Sequence, residues 1–333
     1  MSKLKLMFVG DISLGEHYFS FGHGPKTTAK SKDIFSSVRA IFKEADFVYG
    51  NLEGPISDVG LNPNEPESVV FRGEPRAASE LSLAGFNLMH IANNHIIQHG
   101  EEAYHHTLQL LRSNKILPLG NKGDDCIIEK NGIKIAVISA SAVPDNTDKT
   151  QCLYETLNTA EIVEKAAGLK GRVDWIIASL HWGLEEKIEP IPEQVEIAKR
   201  LKEAGVNFII GHHPHIFYSV DAEENYLCAW SLGNFVFDLP WDDRLCRSAV
   251  LEITLDKTSY KALLHPVNIL PNGMPLLSGE PQQIGYGSFS LYKNSENFSF
   301  FGFKKLAFFI KNSLNGHTHL KFTFFKRKIL NRL

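Results

Sequence analysis

Short apolar runs alternate with amphipathic stretches of helical period along most of the chain. Residues 4–9 and 47–49 are mostly apolar and predict buried strands. Residues 33–44 and 101–112 repeat apolar side chains every three or four positions and predict helices, with Asp33 as the N-cap of the first. This alternation is typical of an α/β domain.

The second half of the chain adds hairpins to this pattern. Residues 126–129 and 133–139 flank Asn131-Gly132, a pair that predicts a tight type I′ turn. The remaining helices are predicted at 75–84 and 192–204, and the remaining strands at 86–92, 173–180, 206–210, 226–230 and 249–255. The mixture predicts an α/β fold in which two mixed sheets pack face to face with helices outside.

Composition and charge narrow the class of protein. The chain has 333 residues, 43% of them hydrophobic and 22% charged, which is typical of a globular protein. A net charge of -3 gives no electrostatic reason to expect a nucleic-acid partner. The four cysteines form no CxxC pair, and no apolar run reaches the roughly 20 residues of a membrane-spanning helix. We therefore expect a cytoplasmic location.

Residue types that bind metals recur just after the predicted strands. Asp11 follows the first strand and Glu53 follows the second. Asn94 and His95 follow the third, His181 a later one, and the segment Gly211-His212-His213-Pro214-His215 comes after residues 208–210. Because ligand sites of α/β sheets lie outside the carboxyl ends of the strands, these loops are expected to converge. Carboxylate, amide and imidazole groups suit divalent Zn, Mn or Fe.

Each of these positions also has a plain structural interpretation. Asp11 is equally suited to capping a turn, and Glu53 to an exposed loop. Asn94 is a common turn former, and His181 a plausible strand-end histidine. The histidines of 211–215 have no evident packing role, and the recurrence at five strand ends favours a metal site.

These segments together resemble the CapA family of bacterial capsule-synthesis proteins, a branch of the calcineurin-like metallophosphoesterases. The matching segments are GDISLG at 10–15, GNLEGPIS at 50–57, ANNH at 92–95, HWGLE at 181–185, GHHPH at 211–215 and SLGNFVFD at 231–238. The resemblance covers roughly residues 4–265. It implies a four-layer α-β-β-α sandwich with two packed mixed sheets.

The resemblance also implies roles for individual residues. It implies one or two divalent ions, with Glu53 as the bridging carboxylate if two bind. His95 takes the place of the catalytic acid beside the metal, with Asn94 serving both catalysis and binding, while Asn234 and His212 are expected to contact substrate. The implied metal ligands are Asp11, Glu53, Asn94, His181, His213 and His215.

The chain departs from the superfamily pattern at three places. Ile12-Ser13 stands where an Asp-x-His motif would supply an imidazole, and Glu53 stands in place of a bridging Asp. These differences leave open a mononuclear or asymmetric site. Residues 96–98 are neutral, whereas the corresponding loop of related proteins often carries an acidic residue. This difference concerns the residues around the metal ligands and not the ligands themselves.

The predicted activity is hydrolysis of a phosphoester by metal-activated water, in the biosynthesis of a capsule or other surface polymer. The expected partner is a phosphorylated small molecule or surface-polymer intermediate, with Arg72 holding a phosphate or carboxylate, or else lying on the surface. Two alternatives stay open: an amide-bond hydrolase or transferase acting on a γ-glutamyl polymer, and a non-catalytic metal-binding component of a polymer assembly machine.

The C-terminal stretch differs from the rest of the chain. We predict a CapA-type metallophosphoesterase-like domain over 1–290 and a basic, aromatic C-terminal extension over 291–333, since no Asp or Glu occurs after Glu296. Residues 298–325 include nine phenylalanines. Two interpretations stay open for 298–333: peripheral contact with an anionic membrane, or a pair of helices that dock on the catalytic body.

Overall fold

The computed structural model describes residues 2–124, 126–146, 153–293 and 301–330; Cys152 lies outside these ranges. The strands are β1 (Leu4–Ile12), β2 (Phe47–Leu52), β3 (Leu88–His90), β4 (Leu117–Leu119), β5 (Cys126–Lys130), β6 (Ile133–Ser141), β7 (Trp175–His181), β8 (Phe208–His212), β9 (Val220–Glu223), β10 (Tyr226–Ala229), β11 (Asn234–Val236), β12 (Arg247–Leu255), β13 (Tyr260–Ile269), β14 (Pro275–Leu277), β15 (Gln282–Gln283) and β16 (Gly287–Phe289). The helices are α1 (Pro25–Thr28), α2 (Arg39–Phe42), α3 (Pro66–Val69), α4 (Ala77–Ala84), α5 (Glu101–Ser113), α6 (Thr159–Leu169), α7 (Pro192–Glu203), α8 (Phe301–Asn312) and α9 (Thr318–Leu330), with a short 3₁₀ turn at Asp243–Cys246.

The described strands form two mixed sheets. The first runs β14-β13-β12-β1-β2-β3-β4, with β11 paired to β1 and β15 paired to β13. The second runs β16-β9-β10-β8-β7-β6-β5. β1, β2 and β3 are parallel neighbours, as are β6, β7 and β8, so the carboxyl ends of these strands meet at one edge of each sheet.

Three apolar clusters separate four layers. Alternation along β1 sends Leu6 and Phe8 toward the second sheet and Met7 and Val9 toward the helices on the outside of the first. Helices α4 and α5 cover that outer face, while α6 and α7 cover the outer face of the second sheet. The predicted α-β-β-α sandwich with two packed mixed sheets is confirmed.

The predicted helix over 33–44 is wrong in extent. Only Arg39–Phe42 is helical, although Ile34, Phe35, Val38 and Phe42 are buried. The Asp33 side chain accepts a hydrogen bond from the Phe35 main chain, which closes a turn. Ser37 Oγ accepts another from the main chain of Leu277. Local and tertiary hydrogen bonds therefore hold the segment in turns while its apolar residues still pack.

Helices α8 and α9 form a C-terminal hairpin that packs on the body through aromatic residues. Phe324 stacks on Tyr18 with ring centroids 3.8 Å apart, and Phe309 lies 5.0 Å from Phe19. Phe309 and Phe325 stack on each other at 3.8 Å. Docking on the body, one of the two interpretations of this stretch, is therefore observed, whereas the boundary at residue 290 stays a prediction.

Polar contacts add to this docking. Arg327 forms ion pairs with Glu65 and Glu67, and Lys304 pairs with Asp242. Lys321 is fully buried and donates to the main-chain oxygens of Asn312 and Asn315. Across the described residues, none of the helices combines the length and apolarity required to span a bilayer.

Candidate metal centre

Ligand-type side chains from four strand ends and a loop meet at the edge where the two sheets adjoin. Among the described residues, three overlapping sets place one ligand atom from each member within 4.8 Å of the others. The sets are Asp11, Glu53 and His215; Glu53, His181 and His213; and Glu185, His213 and His215. Five of the six predicted ligands therefore converge, although they are spread over residues 11 to 215.

Asp11 lies at the end of β1, where the chain passes close to the 232–233 segment. A Cβ on the preceding Gly10 would collide with the main-chain oxygen of Gly233, so glycine is needed there. Asp11 Oδ2 accepts a hydrogen bond from the main chain of His213 at 3.2 Å. It also lies 3.4 Å from His215 Nδ1. The carboxylate is thus fixed from two directions.

Glu53 occupies the centre of the cluster. Its Oε1 atom lies 3.8 Å from His181 Nε2 and 3.7 Å from His215 Nε2. The side chain is fully buried, and Oε1 has no hydrogen-bond partner among the described residues. This oxygen faces both imidazoles, as expected of a carboxylate that bridges two cations.

Asn94 is the sixth predicted ligand and lies beside His181. Its Oδ1 atom is 2.8 Å from His181 Nε2, and both side chains are buried. Ligand atoms of one ion are typically about 3 Å apart, given metal–nitrogen and metal–oxygen bonds of about 2.1 Å. The pair is therefore placed to bind one cation together.

The 211–215 segment reaches the site through strained backbone. His213 and His215 have φ values of 97° and 61°, in the left-handed region that non-glycine residues rarely adopt. Phe71 and Glu186, with φ values of 51° and 63°, belong to neighbouring segments. Such strain persists only where surrounding structure imposes it, and it often marks functional sites.

The buried charges perturb one another strongly. Burial would raise the pKa of Asp11, but hydrogen bonds from His212 and His215 hold it well below the ordinary value. Burial raises the pKa of Glu53 well above its ordinary value, and the charge of Asp11 adds to this. Burial would lower the pKa of His215, but the charges of Glu53 and Asp11 raise it to about 10. Repulsion between adjacent carboxylates is what a cation would relieve.

Asn51 is a central residue that sequence reasoning missed. Its side-chain nitrogen donates to Asp11 Oδ1 at 2.8 Å and lies 3.3 Å from His181 Nδ1. Its oxygen in turn accepts a hydrogen bond from Asn93 at 2.9 Å. In the segment GNLEG, an asparagine that holds a ligand looks the same as one that forms a turn. The only signal in the sequence was the position of Asn51 directly before Leu52-Glu53.

Glu185 is a second residue that was missed. It belongs to the set formed with His213 and His215, although its side chain is exposed. It follows His181 by four positions in HWGLE, a segment that drew attention only for its histidine. Glu185 supplies a carboxylate on the open side of the site.

Asn234 and His212, which were predicted to contact substrate, are both buried beside the predicted metal ligands. Asn234 is fully buried, and its Oδ1 atom lies 2.9 Å from His215 Nδ1, so it orients that imidazole with Nε2 toward Glu53. His212 is also fully buried, stacked between the rings of Tyr49 and His90, with Nδ1 3.3 Å from Asp11. Both residues position ligands, and neither is open to a substrate.

Arg72 likewise has a role different from those predicted. It is neither on the surface nor directed at the site, since only 2% of it is exposed. Its guanidinium donates to the main-chain oxygens of Ser57, Val59 and Ser68. The arginine therefore fixes the loop after Glu53, and these carbonyl contacts replace the expected phosphate contact.

His95 lies at the mouth of the site and belongs to none of the three sets among the described residues. Its Nδ1 atom is 2.6 Å from Gln98 Oε1, and its ring packs 4.9 Å from that of Phe71. Burial lowers the pKa of His95, so the resting imidazole is neutral near pH 7. Gln98 belongs to the neutral loop 96–98, where the family resemblance implies an acidic residue.

The residues present fit a divalent cation. Glu53 Oε1 and His213 Nδ1 are buried ligand atoms without hydrogen-bond partners in the described part of the chain. Leaving such atoms unpaired is costly unless an ion or water satisfies them. Oxygen and imidazole donors together suit Mn, Fe or Zn.

The chain is similar in sequence to known capsule-synthesis proteins. The family model described as bacterial capsule synthesis protein PGA_cap matches residues 5–239. Capsule biosynthesis protein CapA of Bacillus anthracis is 27% identical over 283 residues, covering 80% of this chain and 68% of the relative. PGA biosynthesis protein CapA of Bacillus subtilis (strain 168) is 27% identical over 265 residues, covering 76% and 68%.

Among solved structures, the calcineurin-like phosphoesterase YfkN from Bacillus subtilis is similar with a TM-score of 0.46 and 12% identity, covering 93% of this chain and 98% of that one. The match of the family model spans the segments that build the metal centre, from Asp11 to Asn234. The chain belongs to the bacterial capsule synthesis protein PGA_cap family.

Proposed function

We propose that this protein is a metal-dependent hydrolase that cleaves a phosphoester of a phosphorylated intermediate in capsule or other surface-polymer biosynthesis. The observation that supports it is the unpartnered Glu53 oxygen between the imidazoles of His181 and His215. The capsule context comes from the family and from the names of its relatives.

Asp11, Glu53, Asn94, His181, His213 and His215 would hold one or two divalent ions, with Glu185 as a further carboxylate at the open side. A bound ion would lower the pKa of a coordinated water toward 7 and polarise a phosphoryl oxygen. Asn51 and Asn234 hold the Asp11 carboxylate and the His215 imidazole in place for this ion.

His95 would handle the proton of the leaving group. Its Nδ1–H donates to Gln98, and its Nε2 atom, which lies 3.4 Å from the side-chain nitrogen of Asn146, is the one that would face a substrate. A phosphoryl group beside the ring would favour the imidazolium, because an adjacent negative charge raises the pKa of histidine. The protonated ring then gives its proton to the departing oxygen.

The test is hydrolysis of a panel of phosphodiesters by the full chain, with and without added Mn²⁺. We expect turnover that requires the ion, and we expect His95→Ala to reduce kcat by about 10²–10⁴-fold while metal content stays nearly unchanged. His105→Ala, at an exposed histidine of α5, is the matched control and should keep full activity.

Turnover that persists in His95→Ala would contradict the assignment of the acid. The name of the Bacillus subtilis relative, PGA biosynthesis protein CapA, favours a second candidate: an amide-bond hydrolase or transferase that acts on a γ-glutamyl polymer. Metal-dependent cleavage of a γ-glutamyl peptide without any phosphodiester activity would replace the phosphoester proposal by this one. Metal binding without turnover on either panel would favour a non-catalytic component of a polymer assembly machine.

A further inference from the structure

The C-terminal hairpin of α8 and α9 exposes large apolar side chains on the side away from the body. Of the fourteen exposed large hydrophobic residues in the described chain, six lie in this hairpin, which shows how strongly they concentrate there. We call these six residues the outer face. They are Phe303 (70% exposed), Leu306 (50%), Ile310 (63%), Leu314 (78%), Phe322 (52%) and Leu330 (58%).

The spacing makes the outer face continuous along each helix. Phe303, Leu306 and Ile310 follow an i, i+3, i+7 pattern, so they form one stripe on α8. On α9, Phe322 and Leu330 are eight positions apart and share a stripe with Lys326. Each helix therefore has two apolar sides, one that packs on the body and one that is exposed.

The body does not need the outer face for docking. Phe309 and Phe325 already fill the contact with Phe19, and Phe324 already stacks on Tyr18. The outer stripe on α8 lies opposite Phe308 on the helical wheel and about 90° from Phe309. Its apolar area is therefore available to something other than the catalytic body.

The charge of the hairpin selects the kind of partner. Residues 301–330 contain no acidic side chain, and the acidic partners of Lys304 and Arg327 come from the body. Lys311, Lys326 and Lys328 form no ion pair within the described ranges, and all three are exposed. Apolar side chains bordered by unpaired lysines are the combination that binds an anionic membrane surface.

We propose that the outer face lies on an anionic phospholipid bilayer, with its phenylalanines and leucines in the headgroup region and its lysines on the lipid phosphates. A second copy of the chain is a poorer occupant, because a two-fold interface would bring the same basic residues of each copy together. This inference goes beyond the proposed reaction and does not depend on it.

The experiment is co-sedimentation of the full chain with vesicles of phosphatidylglycerol and phosphatidylcholine, compared with vesicles of phosphatidylcholine alone. We expect binding only to the anionic vesicles. Leu306→Ser combined with Ile310→Ser should reduce the partition coefficient by at least about tenfold. The control is Leu83→Ser, an exposed leucine of α4 on the body, which should bind as well as the wild type.

The charge contribution is tested separately. Lys311→Gln combined with Lys326→Gln should weaken binding about 25-fold, since each basic residue near such a surface contributes about a fivefold factor. Lys199→Gln combined with Lys257→Gln, two exposed lysines of the body, is the matched control. These sites are all exposed, so circular dichroism should show unchanged folding.

Equal sedimentation of Leu306→Ser/Ile310→Ser and the wild type would overturn the proposal, as would absence of wild-type binding to the anionic vesicles. Sedimentation velocity supplies the other outcome. A wild-type dimer that the same double variant converts to monomer, without vesicle binding, would assign the outer face to a second copy and reject the membrane.

Discussion

At the residue scale, one side-chain amide organises much of the candidate metal centre. Asn51 donates to Asp11, contacts His181 and is itself held by Asn93. Because ligands must be held close to their binding geometry, residues that orient them influence metal affinity almost as strongly as the ligands do. Asn51 is therefore the most informative position that binds no ion itself.

We expect Asn51→Ala to weaken Mn²⁺ affinity by about 10–100-fold, because it releases the Asp11 carboxylate and leaves Asn93 with only the Leu52 main-chain oxygen as acceptor. Isothermal titration calorimetry measures this directly. Asn64→Ala, at an exposed loop position, is the control and should leave the affinity unchanged. Wild-type affinity in Asn51→Ala would show that the neighbouring strands alone fix Asp11.

The ligands could be predicted from sequence because their chemistry is visible in the residue type and its place after a strand. The residues that orient them could not, since an amide that forms a turn and one that holds a carboxylate have the same sequence appearance. Asn234 shows the same limit. It lies in the segment SLGNFVFD and was predicted to contact substrate, whereas the structure places it in a buried contact with His215. Arg72 was misjudged because its three acceptors are main-chain atoms.

At the element scale, the C-terminal hairpin is joined to the mouth of the site by a series of ring contacts. Phe309 packs on Phe19, which lies 4.7 Å from His17. His17 in turn lies 5.6 Å from Phe71, the residue that contacts His95. The hairpin therefore supports a wall of the site as well as covering an apolar part of the body.

Phe309→Ala should destabilise docking of the hairpin by about 3 kcal/mol, because it removes a buried ring and leaves a cavity beside Phe19 and Phe325. Hydrogen–deuterium exchange should then rise across α8 and α9 while the two sheets stay protected. The adjacent Ile310→Ala serves as control, since that side chain is 63% exposed and its loss should have little effect. Unchanged exchange in Phe309→Ala would mean that the stack of Phe324 on Tyr18 and the polar contacts hold the hairpin without Phe309.

Elements were predictable where period and packing agree. The hairpin at Asn131-Gly132 forms as predicted, with Lys130 opposite Ile133 and φ values of 56° and 74° at the two turn residues. The helix over 33–44 failed because a helical spacing of apolar residues fits a series of turns equally well. Strand β13 was not predicted, because it contains Pro266 and a proline discourages a strand assignment. In the structure the proline lies between the residues of β13 that pair with β15 and those that pair with β14.

At the scale of the whole molecule, the metal centre joins both sheets. Asp11 and Glu53 come from the first sheet, while His181 and the 211–215 segment come from the second. A cation bound between them therefore acts as a cross-link that exists only when the sandwich is assembled. Its binding free energy adds to the stability of the folded state.

We expect saturating Mn²⁺ to stabilise the protein by about 3 kcal/mol at 100 times its dissociation constant, and to raise Tm by several degrees. Differential scanning calorimetry with and without a chelator measures the change. Glu53→Gln should abolish the response, because it removes the central carboxylate charge, whereas Glu129→Gln at an exposed site should retain it. An equal rise in Tm for Glu53→Gln would place the stabilising ion elsewhere.

The separation of the ligands along the chain also bears on when the ion arrives during synthesis. Asp11 and His213 contact each other across 202 positions of sequence. A nascent chain that has emerged only as far as β7 still lacks the histidines of 211–215. Loading must then follow translation of most of the protein, so the ion acquired reflects the metals free in the compartment where folding finishes.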